Sequence, residues 1–127
     1  MTEITVATEH PESPDARWCL GEYYRELDAR FEGGFDLTAY GGAGIADMTP
    51  PAGLLALARR NGVAVGCGAL IWREGFGEVK RMWVAPTARG RGVSRRLLHY
   101  LEDTARAAGK PMIRLDTNRV LKEAQLL

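Results

Sequence analysis

The sequence has little cysteine and no long hydrophobic run. The two cysteines, Cys19 and Cys67, are too few for a disulfide framework, and no Cys/His cluster has the spacing of a zinc site. The apolar runs are only a few residues long, too short to span a bilayer. The amino end lacks a basic region followed by an apolar one, so no secretory signal is visible. These absences predict a cytoplasmic protein with two reduced thiols, no metal and no membrane partner.

Charge of neither sign dominates the sequence, but the charges are unevenly spread. The 127 residues have a formal net charge of +1, and 46% hydrophobic with 26% charged residues predicts a single globular domain over residues 1–127. Residues 79–101 hold six basic and no acidic side chains, whereas the remainder holds 11 basic and 16 acidic ones. A nearly neutral protein with one basic segment favours a specific anionic ligand over a polyanion such as nucleic acid.

The first part of the chain predicts a strand, a helix and an irregular segment. Apolar and polar residues alternate over residues 4–8, which is typical of a strand. Ser13 and Pro14 are helix-start residues, and apolar residues then recur at steps of three and four to about residue 32. The glycine- and proline-rich segment 33–53 predicts a loop with a short helix around residues 43–48.

The next part predicts an antiparallel meander of three strands. Two apolar runs, 54–60 and 63–73, flank the dipeptide Asn61-Gly62, which is typical of a tight hairpin. A third strand, 78–85, is predicted after a turn at residues 75–77. Glycines 66 and 68 inside the second strand indicate a bulge or a close approach of another backbone.

Beyond the meander the hydrophobic pattern becomes helical. Apolar residues at steps of four and three predict an amphipathic helix from Val93 to Ala108, ended by the segment 109–111. Residues 112–117 predict a strand parallel to the third strand, because a helix separates the two. A last helix is predicted to begin near Asn118.

A glycine-rich turn joins the third strand to the amphipathic helix. Its sequence is Arg89-Gly90-Arg91-Gly92-Val93-Ser94. Glycines at such a turn let the backbone approach a ligand, and the amino end of the helix adds partial positive charge, so the turn predicts phosphate binding. Four arginines are expected to add mobile positive charge at its rim: Arg89, Arg91, Arg95 and Arg96.

Residues 78–98, which contain this turn, resemble the signature region of the GNAT superfamily of N-acetyltransferases. That signature is a strand, then Arg/Gln-x-x-Gly-x-Gly/Ala, then an amphipathic helix, and Arg89, Gly92 and Ser94 occupy its three defined positions. Ser94 departs from the usual Gly or Ala, so its contact with a pyrophosphate is expected to differ slightly. The order of predicted elements over residues 3–127 agrees with the family independently.

The resemblance implies an α+β fold in which a mixed, mostly antiparallel sheet of about five strands is flanked by helices. It implies acetyl-coenzyme A, or a related acyl-coenzyme A, as cosubstrate, and an amine of a small molecule or protein as acceptor. The strand backbone at 82–84 would pair with the pantetheine arm, a bulge there would direct an N–H at the acetyl carbonyl, and the N–H groups of 91–95 would hold the pyrophosphate. The implied coenzyme contacts are Met82, Trp83, Val84, Arg89, Gly90, Arg91, Gly92, Val93, Ser94, Arg95 and Asn118.

Glu78 is the candidate general base, because several family members keep a catalytic glutamate at the start of this strand. The alternative is a solvated carboxylate that closes the turn at Gly77, and both interpretations stay open. Asn118 has two compatible interpretations, a contact with the coenzyme and a cap of the last helix. Four residues of the first helix are candidates for an acceptor pocket or for ordinary packing on the sheet: Glu22, Tyr23, Tyr24 and Glu26.

The carboxyl-terminal part departs from the family pattern. Family members usually continue into two further strands, and many have a tyrosine general acid in the last helix; residues 118–127 contain neither. The fold is thus expected to be incomplete at this end. Three explanations are open: the chain is a fragment, a disordered tail lies outside this sequence, or a partner chain completes the sheet, for example in a homodimer. The alternative function is therefore a non-catalytic acyl-coenzyme A sensor or assembly module.

Overall fold

The computed structural model describes residues 3–30 and 44–115, in which five strands and two α-helices form one sheet with helices on both faces. The 33–43 part of the predicted loop, the end of the 112–117 strand, the last helix and Asn118 lie outside these ranges. Two short 3-10 helices lie at Ala46–Met48 and Pro86–Ala88. In chain order the main elements are β1 (Ile4–Glu9), α1 (Pro14–Arg30), β2 (Gly53–Arg60), β3 (Val63–Arg73), β4 (Phe76–Val84), α2 (Val93–Ala107) and β5 (Ile113–Leu115).

The sheet has the order β1-β2-β3-β4-β5. The first four strands are antiparallel neighbours, and β5 runs parallel to β4, with Gly77 opposite Ile113 and Val79 opposite Leu115. A parallel neighbour requires a crossover, which α2 supplies. The prediction of a mixed, mostly antiparallel five-stranded sheet is confirmed.

The two turns of the meander differ in how well local sequence predicted them. Asn61 and Gly62 have φ angles of 50° and 86°, as the predicted hairpin requires. In the second turn only Gly75 needs a positive φ, 84°, whereas Phe76 and Gly77 already belong to β4. The predicted turn at 75–77 was therefore too long, because the pairing of Arg73 with Phe76 extends the ladder to the tip of the hairpin.

The helices cover opposite faces of the sheet. Successive side chains of β3 point to alternate faces, and they contact a different helix on each face. A Cβ added at Gly66 or Gly68 would meet Leu97 or Leu101 of α2, respectively. Between these glycines, Cys67 points to the face covered by α1, where Cys19 is also buried. The buried stripe of α2 recurs every four residues, which confirms the predicted amphipathic helix. Neither helix in the described ranges is long and apolar enough to cross a membrane.

The start of α1 is fixed by hydrogen bonds that tie it to the first two strands. Ser13 Oγ accepts from Ala16 N at 3.2 Å, which is the predicted amino-terminal cap. Arg59 of β2 lies beside it and donates to Glu9 at 2.6 Å and to Asp15 at 2.9 and 3.1 Å. One guanidinium therefore connects β1, β2 and the first turn of α1.

Candidate active site

A bulge interrupts β4 near its carboxyl end. Cys67 of β3 lies opposite Trp83, but Ala69 lies opposite Lys80, so β4 contains an extra residue in this interval. Arg81 lies within it and has a φ of 58°, which is uncommon for a residue with a side chain. Its carbonyl oxygen accepts a hydrogen bond from Cys67 Sγ at 3.3 Å. The bulge is thus in the predicted strand, at the amino-terminal edge of the predicted segment 82–84.

The side chain of Arg81 is part of the same feature. It is only 4% exposed, and its guanidinium carbon lies 5.8 and 5.7 Å from the ring centroids of Tyr23 and Tyr24. Contacts of this kind stabilise a cation against aromatic faces. Sequence reasoning did not single out Arg81, because its backbone conformation depends on pairing between strands and no local motif signals it.

Before the bulge, the described part of β5 pairs with three residues of β4. Their ladder joins Gly77–Val79 to Ile113–Leu115, and within the described ranges no strand continues it alongside residues 82–84. The side chains of Met82, Trp83 and Val84 are buried at the faces of the sheet. The backbone N–H and C=O groups of a strand point to its edges, so on the β5 side of β4 this segment presents backbone groups. An extended ligand that adds to a strand edge uses such groups.

The short 3-10 helix Pro86–Ala88 separates this segment from the glycine turn. Gly90 and Gly92 have φ angles of 78° and 81°, and a Cβ added at either would meet no atom within 4 Å. Gly92 is the amino-terminal cap residue of α2, where no side chain of the described residues accepts a capping hydrogen bond and no acidic residue lies in the first turn. The N–H groups of a first turn have no acceptor within their own helix, and the positive end of the helix dipole lies at this turn.

Two of the four rim arginines, for which the sequence predicted mobile charge, make hydrogen bonds within the fold. Arg89 Nη2 lies 2.9 Å from both carboxylate oxygens of Glu26, and Arg89 Nε donates to Val84 O at 2.9 Å. Arg96 Nη2 donates to Ile4 O at 2.8 Å. Arg89 is thus held by an ion pair with α1, and Arg96 is held by the backbone of β1.

Glu78, the candidate base, is in an ion pair with β3. Its Oε1 accepts from Arg73 Nε at 2.9 Å and lies 2.8 Å from Arg73 Nη2. Glu78 lies in the ladder between Ile71 and Arg114, and its ion pair joins the two strands that flank the turn at Gly75. It is three residues before Arg81 in the same strand. Within residues 3–30 and 44–115, no group of three side chains is placed to bind a metal.

Comparison with known proteins identifies the family to which this chain belongs. The acetyltransferase (GNAT) family model matches residues 12–125. The chain belongs to this family. A curated IAA acetyltransferase of Azospirillum brasilense is 56% identical over 63 residues, which are 48% of this chain and 41% of that protein. The match therefore spans less than half of that relative.

Solved structures show the same fold over nearly the whole chain. A Klebsiella pneumoniae protein of the acyl-CoA N-acyltransferase type has a TM-score of 0.74 and 27% identity, covering 96% of this chain and 77% of its own. A ribosomal-protein-alanine N-acetyltransferase of Brucella melitensis also has a TM-score of 0.74, with 19% identity over 97% of this chain and 85% of its own. The predicted GNAT fold is confirmed. Enzymes of this family use acetyl-coenzyme A as cosubstrate, which agrees with the predicted donor.

Proposed function

We propose that this protein transfers an acetyl group from acetyl-coenzyme A to a primary amine of a small molecule or protein. The observation that carries the proposal is the α2 amino terminus, whose capping position is a positive-φ glycine next to a strand segment with a bulge. Family membership supports the same reaction.

In this proposal the glycine turn binds the pyrophosphate of the donor. The N–H groups of residues 91–95 converge on it, as at other helix amino termini that bind phosphate. Arg91 and Arg95 are exposed beside the turn and add positive charge. The pantetheine arm then runs along the backbone of 82–84, where the side chains of β4 are buried and no strand of residues 3–30 or 44–115 pairs on the β5 side.

The bulge supplies the group that acts on the thioester. An N–H of β4 next to Arg81 polarises the acetyl carbonyl and stabilises the oxyanion that forms when the amine attacks the carbonyl carbon. The new C–N bond forms, the C–S bond breaks, and its electron pair leaves on the coenzyme sulfur. The proton lost by the amine reaches the thiolate by way of solvent, so the products are an amide and free coenzyme A.

We propose Glu78 as the base in this relay: it accepts the amine proton through water and returns it to the solvent that protonates the thiolate. Its ion pair with Arg73 keeps the carboxylate in one place at the β4–β5 end of the sheet. Because water relays the proton, a Glu78→Gln variant is expected to keep part of its activity.

The binding part of the proposal is tested at two glycines with nearly the same positive φ. Gly92 and Gly109 have φ angles of 81° and 79°, and a Cβ added at either would meet no atom within 4 Å. A leucine at either position is therefore expected to lower the free energy of unfolding by a similar amount, about 1–2 kcal/mol. Acetyl-coenzyme A is expected to raise the Tm of wild-type protein and of Gly109→Leu, but not that of Gly92→Leu.

Turnover is tested by thiol release from acetyl-coenzyme A with a panel of amines. Release with any amine excludes the sensor alternative. A wild-type protein whose Tm is unchanged by saturating acetyl-coenzyme A would contradict the proposed function.

A further inference from the structure

A single carboxylate in α1 bonds to two side chains, one near the end of β4 and one at the start of the glycine turn. Glu26 accepts from Trp83 Nε1 at 2.8 Å and from Arg89 Nη2 at 2.9 Å on each oxygen. Arg89 in turn donates through Nε to Val84 O at 2.9 Å. These four residues, Glu26, Trp83, Val84 and Arg89, are the Glu26 anchor; it joins α1, the end of β4 and the first residue of the turn.

The anchor is shielded enough for its geometry to be well defined. The side chains of Glu26 and Arg89 are 17% and 26% exposed. Hydrogen bonds between charged groups are stronger than neutral ones, and exclusion of water strengthens them further. The rings of Trp18 and Trp83 make a T-shaped contact with centroids 5.6 Å apart, which restricts the indole that donates to Glu26.

The segment that follows Arg89 needs such a support. Gly90 and Gly92 both have positive φ, and glycine loses more conformational freedom on ordering than any other residue. A turn that is ordered only when the ligand arrives spends part of the binding free energy on that ordering, whereas a preorganised turn does not. Arg89 fixes the amino-terminal end of the turn, and the first hydrogen bond of α2, from Arg96 N to Gly92 O at 3.0 Å, fixes the other.

We infer that Glu26 is a positioning residue for the pyrophosphate turn, acting through Arg89 and Trp83, and that it sets the affinity for the coenzyme. This inference rests on the proposed function. The sequence made Glu26 a candidate for lining an acceptor pocket. The inference gives it a different role, because its carboxylate is bonded to Trp83 of β4 and to Arg89 of the turn.

The test compares two charge-neutralising substitutions, one in each helix. Glu26→Gln removes the ion pair with Arg89, whereas Asp103→Asn removes an exposed ion pair with Arg106 in α2. Calorimetric titration with coenzyme A, well below the melting transition, is expected to show about tenfold weaker binding for Glu26→Gln and unchanged binding for Asp103→Asn. In an assay with acetyl-coenzyme A, KM is expected to rise while kcat at saturation changes less than about twofold.

A double variant tests whether Glu26 acts through Arg89. Glu26→Gln/Arg89→Gln is expected to bind no more weakly than the weaker single variant, because both changes break the same contact. If Glu26→Gln does not fold, Glu26→Asp keeps the charge, withdraws it by one methylene and is expected to show the same change in KM.

The outcomes separate this inference from the proposed function. If wild-type protein binds coenzyme A and the Glu26→Gln variant binds it with unchanged affinity, the inference is overturned and the proposed function is not. Additive losses in the double variant also overturn it. Wild-type protein that does not bind coenzyme A overturns the proposed function itself.

Discussion

Two glycines of β3 that face the same helix are expected to differ sharply in their tolerance of a methyl group. A Cβ at Gly66 would lie 2.9 Å from the carbonyl oxygen of Trp83 and 3.3 Å from Val93 Cγ1. The first of these neighbours is backbone, so it yields only if β4 moves. At Gly68 the nearest atom is Met82 Cε at 3.2 Å, the flexible end of a long side chain.

The magnitudes follow from two opposing effects. Alanine in place of a strand glycine gains about 0.5–1 kcal/mol through lower entropy of the unfolded chain. Overpacking against a fixed neighbour costs about 1–3 kcal/mol. We therefore expect Gly66→Ala to destabilise the protein by about 1–2 kcal/mol, which lowers Tm by about 3–8 °C, and Gly68→Ala to change stability by less than about 1 kcal/mol.

Urea unfolding followed by circular dichroism measures both free energies of unfolding. Because the clash at Gly66 displaces the end of β4 and the first residue of α2, Gly66→Ala is also expected to reduce the Tm increase caused by acetyl-coenzyme A. Equal stabilities for the two variants, or a Gly66→Ala protein as stable as wild type, would refute the reasoning from backbone contact.

Two further predictions concern an ion-pair cluster and a buried thiol. Arg59→Gln is expected to lower the free energy of unfolding by about 1–2 kcal/mol, because Glu9 and Asp15 lose a shared, partly buried partner; repeating the urea unfolding in 1 M NaCl should shrink the difference. A hydrogen bond with the Cys19 thiol, and burial, raise the pKa of Cys67 well above its ordinary value. Above about pH 8.5 the unfolded chain releases that proton and the folded one keeps it, so stability should fall with rising pH by about 1.4 kcal/mol per unit, and Cys67→Ala should reduce the slope.

Features that depend on near neighbours in the chain could be predicted from the sequence, and features that depend on distant pairs could not. The Asn61-Gly62 hairpin and the α2 stripe are local, since turn type and helix face are set within a few residues. The conformation of Arg81 depends on how β4 pairs with β3, and the Glu26–Arg89 ion pair joins residues 63 positions apart. Tertiary pairing decides both, so no sequence window contains the signal.

The basic segment of the sequence has several structural roles in addition to the one its charge predicted. Arg81 is buried against tyrosine rings at the bulge, and Arg89 and Arg96 bond to α1 and β1. Arg91 and Arg95 are exposed beside the glycine turn, as is Arg96. Backbone N–H groups, whose number and direction are fixed by the helix, are therefore the main anion ligands in the proposed site. Their arrangement depends on the two positive-φ glycines and on the Glu26 anchor, so binding there depends on backbone geometry more than on the net charge of the segment.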